Sequence, residues 1–292
     1  MSILAPGTIR RTGCRPLVLI LAILPMACTS PTPDPDMRLV RQIDHIKLVS
    51  GEARGLFAVL TDTLRLPVAW PMTDYGGFVS GGVAIGDVNL EIIQTEEGAP
   101  RFTGFALEPA PLDEVLTELK ARGIRHGPPA PYRARQPDGT MQTRWTTVSL
   151  PEVSRDAVEV FFCAYTHDVP ARRRSLRDAL QALHGGPLGV VATEEIVYGA
   201  RDAEAMHAAW ERLLAPASDS LGRWSLSAGP AIRVIRADED EIRSVVLGVR
   251  SLAEARRFLE DHDLLGEVRG DTLMLKGMSM ALVEAAPLGA SR

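Results

Sequence analysis

Ile43-Asp44-His45-Ile46-Lys47-Leu48-Val49 alternates polar and apolar side chains, the pattern of a β-strand with one face buried. Further along, the tight-turn dipeptide Gly86-Asp87 leads into a second such run, Val88-Asn89-Leu90-Glu91-Ile92-Ile93. The residues between them complete a unit. Residues 52–65 read as a helix, with Leu56, Phe57, Leu60 and Leu64 on one face. Leu66 to Trp70 and Val83 to Ile85 read as strands, and Gly76-Gly77 and Gly81-Gly82 bracket the turn that joins them. The order is therefore strand, helix, then three strands.

This order recurs along the chain. The second copy has a strand over Phe102–Leu107, a helix over Leu112–Ala121, and strands over Arg144–Leu150 and Ala157–Phe162. In the third, strand Glu195–Tyr198, helix Asp202–Leu214 and strand Ile232–Ile235 follow the same plan around a Gly/Ser-rich stretch. The fourth has strand Arg243–Val249, helix Leu252–His262 and short strands over 266–268, 272–275 and 280–283. Repeats of about 50–60 residues are too short to bury a core alone, so they are expected to pair. The stretch from Thr166 to Gly189 reads as the linker between pairs, and its Arg172-Arg173-Arg174 run as a solvated feature.

The βαβββ order, with Ile43–Leu48 and Gly86–Ile93, resembles the glyoxalase-like, vicinal-oxygen-chelate superfamily. The segments from Ala200 to Met206 and from Leu247 to Arg256 are similar to that family's strand-to-helix junctions. The resemblance covers residues 41–165 and, more loosely, 189–286. It implies an α+β fold of four βαβββ modules paired into two glyoxalase-like domains. These are residues 37–166 and a degenerate second domain over 189–292, joined by a linker over 167–188. The superfamily hosts lyases, isomerases, dioxygenases and metal-free binders, so fold does not fix reaction.

The resemblance also implies a cleft in each pair, where residues of the first and last strand of each module hold a divalent metal such as Zn, Fe, Mn or Ni. Its ligand positions fall on His45, Glu91 and Glu159, with Phe102 in the fourth place and its neighbours Arg101 and Thr103 assigned to the other face by alternation. Glu91 or Glu159 is then the expected catalytic proton carrier. Trp70, Tyr75, Arg144 and Trp145 are candidate substrate contacts, with core as the default reading of the aromatics and an exposed strand position as that of Arg144. A carboxylate inside an apolar strand needs a metal, a basic partner or a wet pocket. His45 reads either as a ligand or as a structural histidine. The second pair offers Glu195, Arg233, Ser244 and Ala281, a poor donor set in which Glu195 and Arg233 suit an ion pair.

Three functional expectations stay open: metal-assisted lyase, isomerase or dioxygenase chemistry on a small oxygen-rich molecule, metal-free binding of such a molecule, and an inert interaction domain. A homo-oligomer is compatible with each. The formal charge is −5, and residues 1–28 hold Arg10, Arg11 and Arg15 and no acid, so the remainder carries −8. An acidic body argues against a nucleic-acid partner. The three arginines precede the apolar run Leu17–Leu24, and Ala27-Cys28-Thr29-Ser30 and a Pro/Asp tether follow. Residues 1–36 thus resemble a lipoprotein export signal with Cys28 as the lipidated residue, Pro25 standing where such signals favour Leu. The membrane is then met only through that lipid anchor, and the protein is expected at the cell envelope or periplasm. A start at Met37 would instead give a cytoplasmic protein. Of three cysteines only Cys163 lies in the body, inside an apolar run that suits a buried, inert thiol.

Overall fold

The structure is a computed structural model that describes residues 38–167, 169–214, 218–219 and 222–286. The expected leader and Cys28 lie outside the described residues. The described residues all fall within one compact unit.

Module one comprises β1 (Val40–Ser50), α1 (Ala53–Ala58) running into a π-helical turn at Val59–Thr63, β2 (Val68–Asp74), β3 (Val79–Ala84) and β4 (Asn89–Gln94). Module two comprises β5 (Arg101–Pro109), α2 (Leu112–Ala121), β6 (Ala130–Arg135), β7 (Met141–Ser149) and β8 (Glu159–Tyr165). Together they make one eight-stranded sheet in the order β2-β3-β4-β1-β5-β8-β7-β6. β1 and β5 pair antiparallel at its centre, and each has the last strand of its own module parallel on the other side. The two modules are thus related by an approximate twofold between β1 and β5.

Helix α3 (Val169–Ala182) occupies most of the stretch expected as a linker. Arg172 and Arg173 are not solvated, which corrects the reading of that run, while Arg174 is exposed. Arg172 donates to the Ala69 carbonyl oxygen at 2.7 Å, and Arg173 is ion-paired with Asp44 and Glu108. Arg177 reaches Asp87 at 2.7 Å. Charge run and helix period coincide here, and three of these side chains fasten the helix to module one.

The second sheet is β10-β11-β9-β12-β15-β14-β13. It is built from β9 (Val190–Ala200), α4 (Ala203–Leu213), β10 (Arg223–Trp224) and β11 (Ala231–Arg236), then β12 (Glu241–Val249), α5 (Leu252–Asp261), β13 (Leu265–Arg269), β14 (Thr272–Leu275) and β15 (Met280–Glu284). Module three contributes three strands among the described residues. Helices α4 and α5 start where the junction segments place them: the side chains of Asp202 and Ser251 accept hydrogen bonds from the Ala205 and Glu254 amides. The two sheets share one apolar core, in which Phe105 of β5 stacks on Trp210 of α4 at 5.9 Å between ring centroids.

Three register shifts interrupt the pairing of the central strands, and the second and third shape the site. Pairing of β1 with β5 steps from Ile43↔Leu107 to His45↔Ala106, so Asp44 is an extra residue on β1. It then steps from Lys47↔Gly104 to Leu48↔Phe102, which makes Thr103 the extra residue on β5. The strict alternation expected of Ile43–Val49 therefore breaks at Asp44. Ile43 and Ile46, three apart, are both fully buried in the core, and the two residues between them face elsewhere. This third shift corrects the expected face of β5. Phe102 joins the core, and Thr103 turns into the cleft.

Gly104, beside the third shift, has φ +151°, and a Cβ there would overlap the Glu159 carbonyl oxygen. Gly104→Ala is expected to lower the free energy of unfolding in denaturant titration by about 2–4 kcal/mol. Gly98→Ala, at φ +115° but with open space around it, should cost only about 1 kcal/mol.

Candidate active site in the N-terminal cleft

The first sheet curls around a cavity of about 930 Å³, within the range of small-molecule sites. β1 supplies His45, Lys47 and Val49 to its wall, at the spacing of two that places side chains on one strand face. β8 supplies Glu159, Phe161, Cys163 and Tyr165 by the same rule, while its Val160 and Phe162 point into the core.

His45 is the best-organised polar group. Its Nδ1 lies 2.7 Å from Asp44 Oδ2. In an unbroken strand adjacent residues point to opposite faces; the β1 bulge brings these two together. Asp44 also accepts from the Tyr165 hydroxyl at 2.8 Å and from Arg173 at 2.5 Å. Burial opposes ionisation of Asp44, but the hydrogen bond and charge of His45, the Arg173 guanidinium and the Tyr165 hydroxyl outweigh it and hold the carboxyl down to about 2. With Asp44 ionised, Nδ1 is the donor, and the other ring nitrogen, Nε2, is left 3.4 Å from Glu91 Oε2. Burial lowers the His45 pKa, yet the Asp44 hydrogen bond and the charges of Glu91 and Asp44 raise it overall, against Lys47. The arrangement can hold a proton between an imidazole and a carboxylate at the edge of a ligand cavity.

Lys47 donates to Glu159 Oε2 at 2.6 Å and lies 5.5 Å over the Phe161 ring. Glu159 is half-exposed, so this is a partly solvated pair worth roughly 0–1 kcal/mol. Thr103 Oγ1 is buried with no hydrogen-bond partner among the described residues, a condition that costs about 1–3 kcal/mol.

The opposite wall is aromatic. Tyr132 and Trp145, paired across β6 and β7, stack at 4.1 Å, and Tyr75 stacks on Phe78 at 5.0 Å. The two stacks meet edge to face, Tyr75 to Trp145 at 6.3 Å. Arg172 lies over Trp70 at 5.6 Å. Arg144 is exposed at the rim.

All the candidate contacts Trp70, Tyr75, Arg144 and Trp145 line this cavity, as do His45, Glu91 and Glu159. The last three are not assembled as a metal-binding group. Among the described residues no cluster of three or more His, Cys, Asp or Glu side chains stands in a ligating arrangement. A metal at His45 would compete with a proton favoured by two flanking carboxylates, and Glu159 is already neutralised by Lys47. As paired here, the three side chains are not gathered into a ligating arrangement. Sequence reasoning missed Asp44, Lys47, Thr103, Tyr132, Tyr165 and Arg173. Lys47 and Tyr165 were within reach of simple alternation from His45 and Glu159. The others required the bulges, the cross-strand register and the docking of α3.

The second sheet carries the expected ion pair. Arg233 donates to Glu195 at 2.9 Å, and Arg223 adds a second contact at 3.3 Å. Cys163 is free and buried, and burial, with Asp44 nearby, pushes its thiol pKa well up, as expected of an inert thiol.

Two curled sheets of paired modules are consistent with a glyoxalase-like fold. The glyoxalase-like domain family profile matches residues 83–214, from the end of β3 through α4. Among solved structures, the chain is similar to homoprotocatechuate 2,3-dioxygenase from Brevibacterium fuscum in complex with 3,4-dihydroxyphenylacetate, at TM-score 0.54 and 12% identity, over 87% of this chain and 83% of that one. The corresponding Arthrobacter globiformis dioxygenase matches at TM-score 0.54 and 12% identity, over 88% and 82%. A hypothetical protein from Staphylococcus aureus matches at TM-score 0.57 and 11% identity, over 83% and 98%. At these identities the likeness establishes the fold. No curated protein matches the sequence. No helix among the described residues is long and apolar enough to cross a membrane.

Two buried charges give the site a pH signature. The folded-state pKa of His45 is raised above its ordinary 6.5, so its stabilising effect is complete below that value and fades as pH rises through the folded pKa. The stability difference between wild type and His45→Gln, from denaturant titrations over about pH 5 to 9, is expected to narrow with rising pH. Asp44 has the opposite sign. Its folded pKa of about 2 lies below the ordinary 3.8, so ~2 kcal/mol is present above that value and lost as pH falls towards 2.

Proposed function

We propose that the N-terminal cleft binds a small planar organic molecule between the aromatic wall and the His45–Lys47 floor, without a divalent ion at His45, Glu91 and Glu159. The observation that carries this reading is the paired stacking of Tyr132 on Trp145 and Tyr75 on Phe78 around one open cavity. Aromatic faces that line a cavity bind flat rings by dispersion and stacking, about 0.5–1.5 kcal/mol beyond area burial for each ring pair. Polar groups are few and convergent, as in sites that orient a mostly apolar ligand. The similarly folded Brevibacterium fuscum dioxygenase is complexed with an aromatic acid, 3,4-dihydroxyphenylacetate, which is consistent with a ring-shaped occupant here.

Tryptophan fluorescence tests the reading with phenylacetate, phenylacetamide and phenethylamine as anionic, neutral and cationic probes. At least one is expected to quench saturably in wild type. Trp145→Ala is expected to weaken it roughly tenfold or more, from loss of the stacked ring. No saturable response to any of the three would overturn the proposal, as would elemental analysis showing one stoichiometric metal that is lost in His45→Ala.

We also propose that the chain is exported and held at the envelope by Cys28, supported by the basic, apolar and small-residue sequence of residues 1–28. Mass spectrometry of the mature N-terminus is expected to find a lipid on Cys28, and a start at Met37 would refute it.

A further inference from the structure

The cavity floor contains a cation whose hydrogen-bonding capacity is only partly used. The Lys47 side chain is 20% exposed and that of its partner Glu159 is 55% exposed. The ammonium is therefore the enclosed member of the pair, and the carboxylate is the member that meets water. An ammonium has three N–H donors. One is directed at Glu159, and the remaining two have no hydrogen-bond acceptor among the described residues.

A second group with unspent capacity lies beside it. Thr103 is the extra residue of the β5 bulge, between the partners of Lys47 and Leu48. It lines the same cavity, and its buried hydroxyl has no partner among the described residues. No other acid lining the cavity is free to answer Lys47. Glu91 is engaged by His45, and Asp44, behind the wall, by His45, Tyr165 and Arg173. The remaining charged groups on the lining are the cations Arg144 and Arg172. The surroundings of Lys47 thus favour an incoming negative charge.

We propose that Lys47 and Thr103 form an oxyanion-binding subsite, and that the ligand class of this cleft is a planar organic acid. Its carboxylate or phenolate oxygen accepts from the Lys47 ammonium and the Thr103 hydroxyl, while its ring lies along the wall of Tyr75 and Trp145. Glu159 is the counter-ion of the empty subsite. Its solvent-facing carboxylate swings into water when the ligand oxygen takes its place, at the small cost of a partly solvated pair. The subsite rests on the reading of the cleft as a small-molecule site and adds the charge of the molecule to it.

Calorimetric titration of the purified protein with phenylacetate and phenylacetamide separates the two claims. Wild type is expected to bind the acid about tenfold or more tightly than the amide, the scale of one charge-assisted hydrogen bond. Lys47→Met is expected to abolish that preference while binding the amide within about twofold of wild type, which also shows that the cleft remains folded. Glu159→Gln releases the ammonium from its internal partner and is expected to tighten the acid by roughly two- to fivefold. If acid and amide bind wild type equally, and both depend on Trp145, the subsite is refuted and the small-molecule reading survives. If neither binds, the small-molecule reading itself falls. Should Lys47→Met fail to fold, Glu159→Gln decides: unchanged or weakened acid binding overturns the proposal.

Discussion

The site depends on one extra residue in a β-strand. Inserting Asp44 into β1 opposite β5 turns two sequence neighbours to the same side, so that a carboxylate reaches the ring of the histidine beside it. A regular strand would send Asp44 towards the core with Ile46. A carboxylate buried there without partners would cost several kcal/mol. The bulge avoids this only because Arg173 and Tyr165 complete the shell of hydrogen bonds around Asp44. The conformation of β1, the docking of α3 and the end of β8 are therefore one linked arrangement.

The role of α3 follows from that linkage. Its arginines reach β2, the centre of the sheet and the β3–β4 turn of module one. One side of this attachment is electrostatic and buried: Arg173 bridges Asp44 and Glu108, and Glu108 also accepts from Gln42 at 3.0 Å. Buried ion pairs of this kind contribute little net stability, but removal of one partner leaves a stranded charge, which is strongly destabilising. They fix position more than they add stability. Here the position they fix is that of the ring whose Nε2 faces the ligand cavity.

Charge pairing then organises the lining of the cleft. Three candidate ligands, His45, Glu91 and Glu159, are all on the lining, but each acid has a partner supplied by β1, the imidazole for Glu91 and the Lys47 ammonium for Glu159. Lys47 is two residues from His45 on the same face, so one strand brings both an imidazole and an ammonium to the cavity. The aromatic wall across the cavity supplies binding area without charge, and the polar floor supplies orientation.

The sequence by itself determined the architecture. Periodic apolar positions, the strand–helix–strands order and the Gly-bounded turns are local signals, and four copies of them leave few ways to pair. Alternation from His45 and from Glu159 also put Lys47 and Tyr165 within reach, though neither was singled out, because side-chain direction on a regular strand follows from residue number alone. What only the tertiary structure decided lies where that rule fails or where partners are distant in the chain. Asp44 and Thr103 changed face because a bulge is set by pairing with a neighbouring strand, which a linear pattern does not encode. Arg173 became a partner of Asp44 because α3 folds back onto module one, turning one charge of a run that looked solvated into buried ion pairs. Tyr132 met Trp145 through the register of β6 on β7. Hydrophobic periodicity records how each segment faces its core, and it is silent on which polar groups the finished fold brings into reach of one another.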